Sequence, residues 1–174
     1  MPLIKNSEFV DSAFKHVADE EVPPEGAIIV SQKRWQAERD ALMSRDAPLG
    51  IRLTADQSPE ALAADVHHFA VVELEFPKFK DGRGYSWARL LRQRLGYKGE
   101  IRATGDVLRD QWLFMSRCGI DAFEVRPGTR IEDFRAALGE QTVFYQPACD
   151  RVANVLDLRH GTRSSGHRAR VAAE

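Results

Sequence analysis

Residues 70–76 read AVVELEF, and this stretch decides the class of fold. Its apolar residues at positions 72, 74 and 76 alternate with Glu73 and Glu75, so an extended backbone has one apolar and one charged face. A strand covered by helices on both sides is apolar throughout. The alternation therefore predicts a strand in a sheet that carries helices on one side only.

The same alternation recurs at residues 49–55, 100–104 and 122–125. Helical patterns of about 10–15 residues separate the stretches, and strands are predicted to start near residues 27, 49, 70, 100, 122 and 143. Strands that alternate with helices indicate right-handed βα units and a parallel sheet. The fold class is therefore α/β.

The polar positions of four consecutive strands suggest how the sheet is arranged. In strand order they are Arg52, Glu73, Arg102 and Glu124. Opposite charges on neighbouring strands pair, which predicts a curved, partial (βα) barrel-like sheet with a polar concave face. A doubly wound three-layer sheet, with the charges at the strand ends, remains the alternative.

Length and composition predict one domain with two polar ends. The chain has 174 residues, of which 43% are hydrophobic, and a formal net charge of -1. Residues 27–157 form the predicted α/β domain. Residues 1–26 contain an acidic run followed by the adjacent prolines Pro23 and Pro24, which is typical of an N-terminal arm, and residues 158–174 are predicted to be a flexible C-terminal tail.

Several function classes are disfavoured. The near-zero net charge argues against a nucleic-acid-binding protein. No apolar run is long enough for a membrane span, and no signal peptide is recognisable, so we expect a cytoplasmic protein. Cys118 and Cys149 lack metal-ligand spacing, and no HExxH, Walker A or dinucleotide motif is present. We therefore expect neither a metal nor a cofactor.

The loop after strand 70–76 has the residue types of an anion site. Its sequence, FPKFKDGRGY, combines glycines with positive charge and leads into a helix, whose N-terminal amides favour an anion. The candidate anion-binding residues here are Arg83, Gly84, Tyr85 and Ser86. The alternative is an ordinary surface loop with a turn at positions 81–82.

A second candidate loop, at residues 104–106, follows the next strand. Asp106 and Arg109 come near the start of a helix, and Arg102 precedes them on the polar face of its strand. Because the carboxyl ends of parallel strands meet at one sheet edge, we expect both loops to lie side by side and to bind a small oxyanion through their arginines. Asp106 is alternatively a simple helix cap.

Arg89 and Arg92 are predicted to lie on the outer face of the helix that follows the first loop. The apolar stripe of that helix runs through Trp87, Leu91 and Leu95, which leaves both arginines on the opposite side. They form either a docking patch for an acidic partner or an ordinary solvated face.

Residues 76–123, FPKFKDGRGYSWARLLRQRLGYKGEIRATGDVLRDQWLFMSRCGIDAF, resemble the signature of one bacterial family of unknown function. Its members are described as oxidoreductases probably involved in sulfite reduction and are encoded beside assimilatory sulfite reductase. The resemblance extends from about residue 27 to residue 146. The family has no established catalytic residues, so only the motif transfers. Its positions here are Asp81, Gly82, Arg83, Gly84, Tyr85, Ser86, Arg89, Arg102, Gly105, Asp106, Arg109, Asp110 and Gln111.

The resemblance implies an accessory protein of assimilatory sulfite reduction. Such a protein would bind the sulfite reductase haemoprotein or its electron donor, or a small oxyanion, without a redox cofactor of its own. Two alternatives stay open: an enzyme on a partial (βα) barrel that acts on an anionic small molecule, and a bare protein-interaction module. Homo-oligomers are a further expectation, because an open half-barrel exposes its edges.

Overall fold

The computed structural model describes residues 1–150 and 152–159, so most of the predicted C-terminal tail lies outside the described residues. The strands, in chain order, are β1 (Leu3–Lys5), β2 (Glu8–Val10), β3 (Lys15–His16), β4 (Ile28–Ser31), β5 (Leu49–Leu53), β6 (Val71–Phe76), β7 (Glu100–Gly105) and β8 (Ala122–Glu124). The α-helices are α1 (Gln32–Met43), α2 (Arg83–Arg89), α3 (Trp112–Arg117), α4 (Ile131–Gly139) and α5 (Val155–Arg159).

The strands form one sheet in the order β2-β1-β8-β7-β6-β5-β4-β3. From β3 to β8 every neighbouring pair is parallel, and for β4 to β8 the sequence predicts this arrangement. The two N-terminal strands are antiparallel additions, since β1 pairs with β8 and β2 with β1. The chain therefore supplies both edges of its sheet, β2 and β3, from its first 16 residues.

The apolar core lies on one face of this sheet. The buried cluster takes alternate residues from each central strand, among them Ile51, Val72 and Leu74, and joins them to side chains from the helices and turns. Trp35 of α1 and Met115 of α3 belong to the same cluster. Because these apolar side chains are buried together, the convex face of the sheet is covered by helices. The alternating polar side chains lie on the opposite face.

The sheet curls into a half-barrel with its polar side inward. His16 on the β3 edge contacts Glu73 on β6, although β4 and β5 lie between them. Three strand spacings of a flat sheet span roughly 14 Å, so this contact requires strong curvature. On the other side, Ser12 in the β2–β3 connection reaches Arg102 on β7. Residues 11–16 thus cross the open side of the half-barrel.

The structure departs from the predicted βα repeat at several places. Two 3₁₀ turns, Pro59–Leu62 and Val66–His68, replace the helix expected after β5. The helix expected from Asp106 begins only at Trp112, after a 3₁₀ turn at Arg109–Gln111. The last predicted strand, 143–146, is reduced to a single bridge from Phe144 to Asn154.

The N-terminal residues also differ from the arm interpretation in their secondary structure. Leu3, Ile4 and Val17 are buried, and β1 pairs with β8 in a three-residue antiparallel ladder that joins Leu3 to Glu124 and Lys5 to Ala122. Strands of two or three residues are too short to show a period of two in the sequence. The sequence therefore gives no recognisable strand pattern in this polar N-terminal segment.

Candidate functional site

The concave face of the half-barrel gathers ionisable side chains from neighbouring strands. Register places Arg52 of β5 opposite Glu73 of β6, and Glu73 opposite Arg102 of β7. One step further along the strands, Glu75 lies opposite Thr104. Because side chains two apart share a face, all five project into the half-barrel.

Glu73 lies at the centre of this face and is completely buried. Its Oε2 is 2.7 Å from Nε2 of His16, whose side chain is 49% exposed at the opening of the half-barrel. The hydrogen bond and charge of Glu73 raise the pKa of His16, against the opposing effect of burial. The imidazolium form of His16 is therefore favoured beside the carboxylate.

Arg102 is a buried cation held by its own neighbours. Its Nε and Nη2 donate to Oε1 of Glu100 at 2.9 and 2.7 Å, and its Nη1 donates to Oγ of Ser12 at 3.1 Å. The closest approach of its guanidinium to Glu73 is 4.0 Å, too long for a hydrogen bond. Arg102 thus lends positive charge to the face but does not hydrogen-bond Glu73. An ion pair between neighbouring strands, as the alternating charges predict, is formed by Arg52 of β5 and Glu75 of β6 at 3.2 Å.

Two buried polar atoms on this face have no hydrogen-bond partner among the described residues: Oε1 of Glu73 and Oγ1 of Thr104. The residues are 0% and 5% exposed. Burying a polar group without a hydrogen-bond partner costs roughly 1–3 kcal/mol of free energy. Such groups therefore usually form a hydrogen bond with a ligand or an ordered water. The carboxylate oxygen accepts a hydrogen bond, whereas the hydroxyl can donate one. Together they suit a small ligand that carries both an O–H group and an anionic oxygen.

The two loops predicted to form an anion site lie side by side. The amide N–H of Phe79 donates to Oδ2 of Asp106 at 3.0 Å, and Nε2 of Gln111 donates to the carbonyl oxygen of Phe79 at 3.3 Å. Asp106 also accepts from Arg126 at 2.7 Å. Asp106 therefore ties the loops together and caps no helix of its own.

The arginines of these loops form ion pairs with carboxylates in different parts of the fold. Arg83 forms a paired contact with Asp81, at 3.0 and 2.7 Å, which lowers the pKa of Asp81 to about 2. Arg109 pairs with Glu140, just beyond α4, at 2.6 Å. The structure brings their loops together but does not direct the two guanidinium groups to a common point.

The other residues of the first loop mostly serve packing. A Cβ atom on Gly84 would clash with the ring of Phe76, so glycine allows α2 to approach β6 closely. Tyr85 packs edge-on against Phe76, and burial raises its pKa to about 12. Ser86 is exposed. Whether these residues bind an anion stays a prediction.

Arg89 and Arg92 occupy different surroundings. Arg89 is exposed, in keeping with the outer face expected for it. Arg92 is mostly buried and donates to the carbonyl oxygens of Gly119, Tyr97 and Gly99 at 2.8–2.9 Å, with a fourth contact to Asp121. Arg92 therefore holds together the turns after α2 and α3. A docking role for the pair stays a prediction.

Sequence reasoning identified Glu73, Arg102 and Thr104 as residues of the polar face but did not single out Glu73 or Thr104 as site residues. It also left His16 in the N-terminal arm. Alternation alone could have identified Glu73 and Thr104, since both lie at inward positions of central strands. Nothing local marks His16, because its place depends on the crossing of residues 11–16 over the half-barrel.

Two further features bear on the class of protein. Across the described ranges no cluster of three or more His, Cys, Asp or Glu side chains could hold a metal ion. None of the helices in those ranges combines the length and apolarity needed to cross a membrane. Fold and site together define a mixed α/β protein whose half-barrel sheet has a polar concave face.

The chain belongs to a bacterial family of proteins of unknown function, DUF934, whose model matches residues 50–156. The match covers β5 to β8 and therefore includes Glu73, Arg102 and Thr104, but it leaves out the N-terminal segment that carries His16. No curated protein matches the sequence.

Proposed function

We propose that this protein binds a small protic oxyanion, such as hydrogensulfite or hydrogenphosphate, on its concave face. The observation that carries the proposal is the pair of buried, unpartnered atoms, Oε1 of Glu73 and Oγ1 of Thr104. A protic oxyanion can donate its O–H to the carboxylate and accept the threonine hydroxyl through another oxygen. Ligands without an O–H group would leave Glu73 unpartnered.

Positive charge near these atoms supports an anion despite the presence of Glu73. The raised pKa of His16 favours the cationic form of its ring, Arg102 is buried nearby, and Arg52 reaches the exposed side of the same face. Charge-assisted hydrogen bonds of roughly 1.5–3 kcal/mol are typical of such groups. In this proposal the ligand enters past His16, whose side chain is half-exposed.

In this proposal the protein acts as an accessory of assimilatory sulfite reduction, the role that the family resemblance implies. The accessory role requires no redox step in this chain: it would hold the oxyanion for the sulfite reductase haemoprotein or its electron donor. Exposed Arg89 is the residue offered to that partner. Affinity purification from cells growing on sulfate, compared between the wild type and Arg89→Ala, tests the partnership by what co-purifies.

Amide chemical-shift mapping locates the binding site. Titration with phosphate, and separately with sulfite, is expected to perturb the amides of β6 and β7 around Glu73 and Thr104 most strongly. Perturbations confined to residues 79–86 would instead support the loop site predicted from the sequence. Absence of saturable shifts with either anion would contradict the proposal.

The contact between His16 and Glu73 favours a second candidate, an enzyme that acts on an anionic small molecule. A buried carboxylate that orients a half-exposed imidazole has the geometry of a general acid–base pair. Phosphate and sulfate esters can be screened with the wild type and with His16→Gln. Turnover that depends on His16 supports the enzyme, whereas binding without turnover supports the accessory role.

A further inference from the structure

Cys118 and Cys149 are distant in the sequence but adjacent in the fold. Cys118 follows α3 directly, and the amide N–H of Cys149 donates to the carbonyl oxygen of Arg117 at 2.9 Å. That oxygen belongs to the peptide group joining Arg117 to Cys118. Standard backbone dimensions therefore place the two cysteine Cα atoms within roughly 7 Å of each other. Disulfides usually join Cα atoms about 4.4–6.8 Å apart.

The two thiols also share their surroundings. Both are free and partly exposed. Burial raises the pKa of each, and the pKa of Cys118 is raised further by the charge of the Cys149 thiolate, an effect that acts over short distances. Arg89 is a cationic neighbour of both sulfur atoms.

Cys149 has the better access to solvent-borne reagents. It lines a surface cavity of about 410 Å³ whose other walls include Arg92, Lys98 and Gly119. Lys98 is exposed at this cavity, and its positive charge suits an anionic reagent. Cys118 follows the last residue of α3 and is not among the residues that line this cavity.

We propose that Cys118 and Cys149 form a reversible intramolecular disulfide, with a glutathione-type disulfide as the oxidant. The thiolate of Cys149 attacks one sulfur of the oxidant, which gives a mixed disulfide and releases one thiol. The thiolate of Cys118 then attacks the Cys149 sulfur and releases the second thiol. The protein loses two protons and two electrons, and the oxidant is reduced to two thiols.

The bond would fix the segment after α4 to the end of α3. Arg117 now provides much of that attachment: its Nε pairs with Asp150 at 2.9 Å, its Nη2 donates to the carbonyl oxygen of Gln146 at 3.0 Å, and its guanidinium stacks 3.5 Å from the ring centre of Phe144. A covalent link adds to these polar contacts. By closing a loop of about 30 residues it should raise the thermal midpoint by roughly 5–10 °C.

The test is incubation of the purified full chain with oxidised glutathione. We expect both thiols to disappear, the mass to fall by two hydrogens, and peptide mapping to find Cys118 linked to Cys149. The rate should rise with pH, because the raised pKa values leave little thiolate at neutrality. Cys118→Ser should stop at the mixed disulfide on Cys149, and dithiothreitol should restore the thiols in the wild type.

Three results would overturn the proposal. These are a wild-type protein that retains glutathione on a cysteine without forming the internal link, one that crosslinks only between molecules, and one whose thiols do not react. If Cys118→Ser fails to fold, Cys149→Ser serves as the second variant. It should show no internal link and no rise in the thermal midpoint after oxidation.

Discussion

His16 and Glu73 lie three strands apart in the order of the sheet, yet their side chains meet at 2.7 Å. The contact joins the crossing segment, residues 11–16, to the centre of the concave face. It buries one carboxylate oxygen of Glu73 against the imidazole ring and leaves the other oxygen without a hydrogen-bond partner in the part of the chain that the structure describes. The same contact therefore shapes the half-barrel and prepares its inner face for a ligand.

The charge of Glu73 controls the titration of His16. Because the folded state raises this pKa above its ordinary value of 6.5, the ion pair stabilises the fold fully below that pH and its contribution is lost as pH rises through the folded pKa. We expect Glu73→Gln to lower the pKa of His16, since burial then acts without the compensating charge. Histidine ring signals followed by NMR measure it. An unchanged His16 titration would contradict the pairing.

Arg92 is predicted to be a structural residue. Its guanidinium serves three carbonyl oxygens and Asp121, so Arg92→Ala leaves several acceptors without a donor. We expect a loss of about 2–4 kcal/mol in the free energy of unfolding, measured by urea denaturation. Arg94→Ala, in the same helical stretch, removes only an exposed contact with Glu60 and should change stability by less than about 0.5 kcal/mol. Equal effects for both variants would show that Arg92 is not structural.

Gly84 is predicted to be required for the packing of α2 on β6. In Gly84→Ala the new methyl group would meet the buried ring of Phe76. We expect a loss of about 1–3 kcal/mol in the free energy of unfolding. Gly82→Ala is the matched control, because a Cβ at that position meets open space. A stable Gly84→Ala protein with an unperturbed Phe76 would refute this role.

The arginines of the two loops should matter little for the affinity of an oxyanion. Arg83 and Arg109 belong to the loops and pair with Asp81 and Glu140, whereas Arg52, which pairs with Glu75, lies on the concave face. Calorimetric titration with phosphate should therefore show weaker binding in Arg52→Ala and a smaller change in Arg83→Ala and Arg109→Ala. The reverse order would move the site to the loops, as the sequence alone suggests.

The parallel part of the sheet and its polar face could be predicted from the sequence. Alternation in residues 70–76 and in its neighbours is a local property of each strand, and burial of one face preserves it. The local pattern could not predict the length and type of the helical structure after β5. Ser58 and Pro59 do begin a helical turn there, but the residues up to Phe69 form only two short 3₁₀ turns.

The site was harder to predict than the fold. The two glycines and one arginine at residues 82–84 are typical of an anion-binding loop, yet Gly84 packs on Phe76 and Arg83 pairs within its own loop. The contact of His16 with Glu73 depends on how far the sheet curls, which no local pattern encodes. Motifs therefore pointed to the loops after β6 and β7, whereas the unpartnered atoms could be found only from the structure.

Titration calorimetry of Thr104→Val with sulfite and phosphate tests the central claim most directly. The substitution removes the buried hydroxyl with little change in volume, so the fold should persist, and Thr142→Val at an exposed position is the control. Loss of one charge-assisted hydrogen bond predicts binding at least roughly tenfold weaker in Thr104→Val and unchanged in the control. Equal affinity in all three proteins, or no binding to the wild type, would contradict an oxyanion site on the concave face.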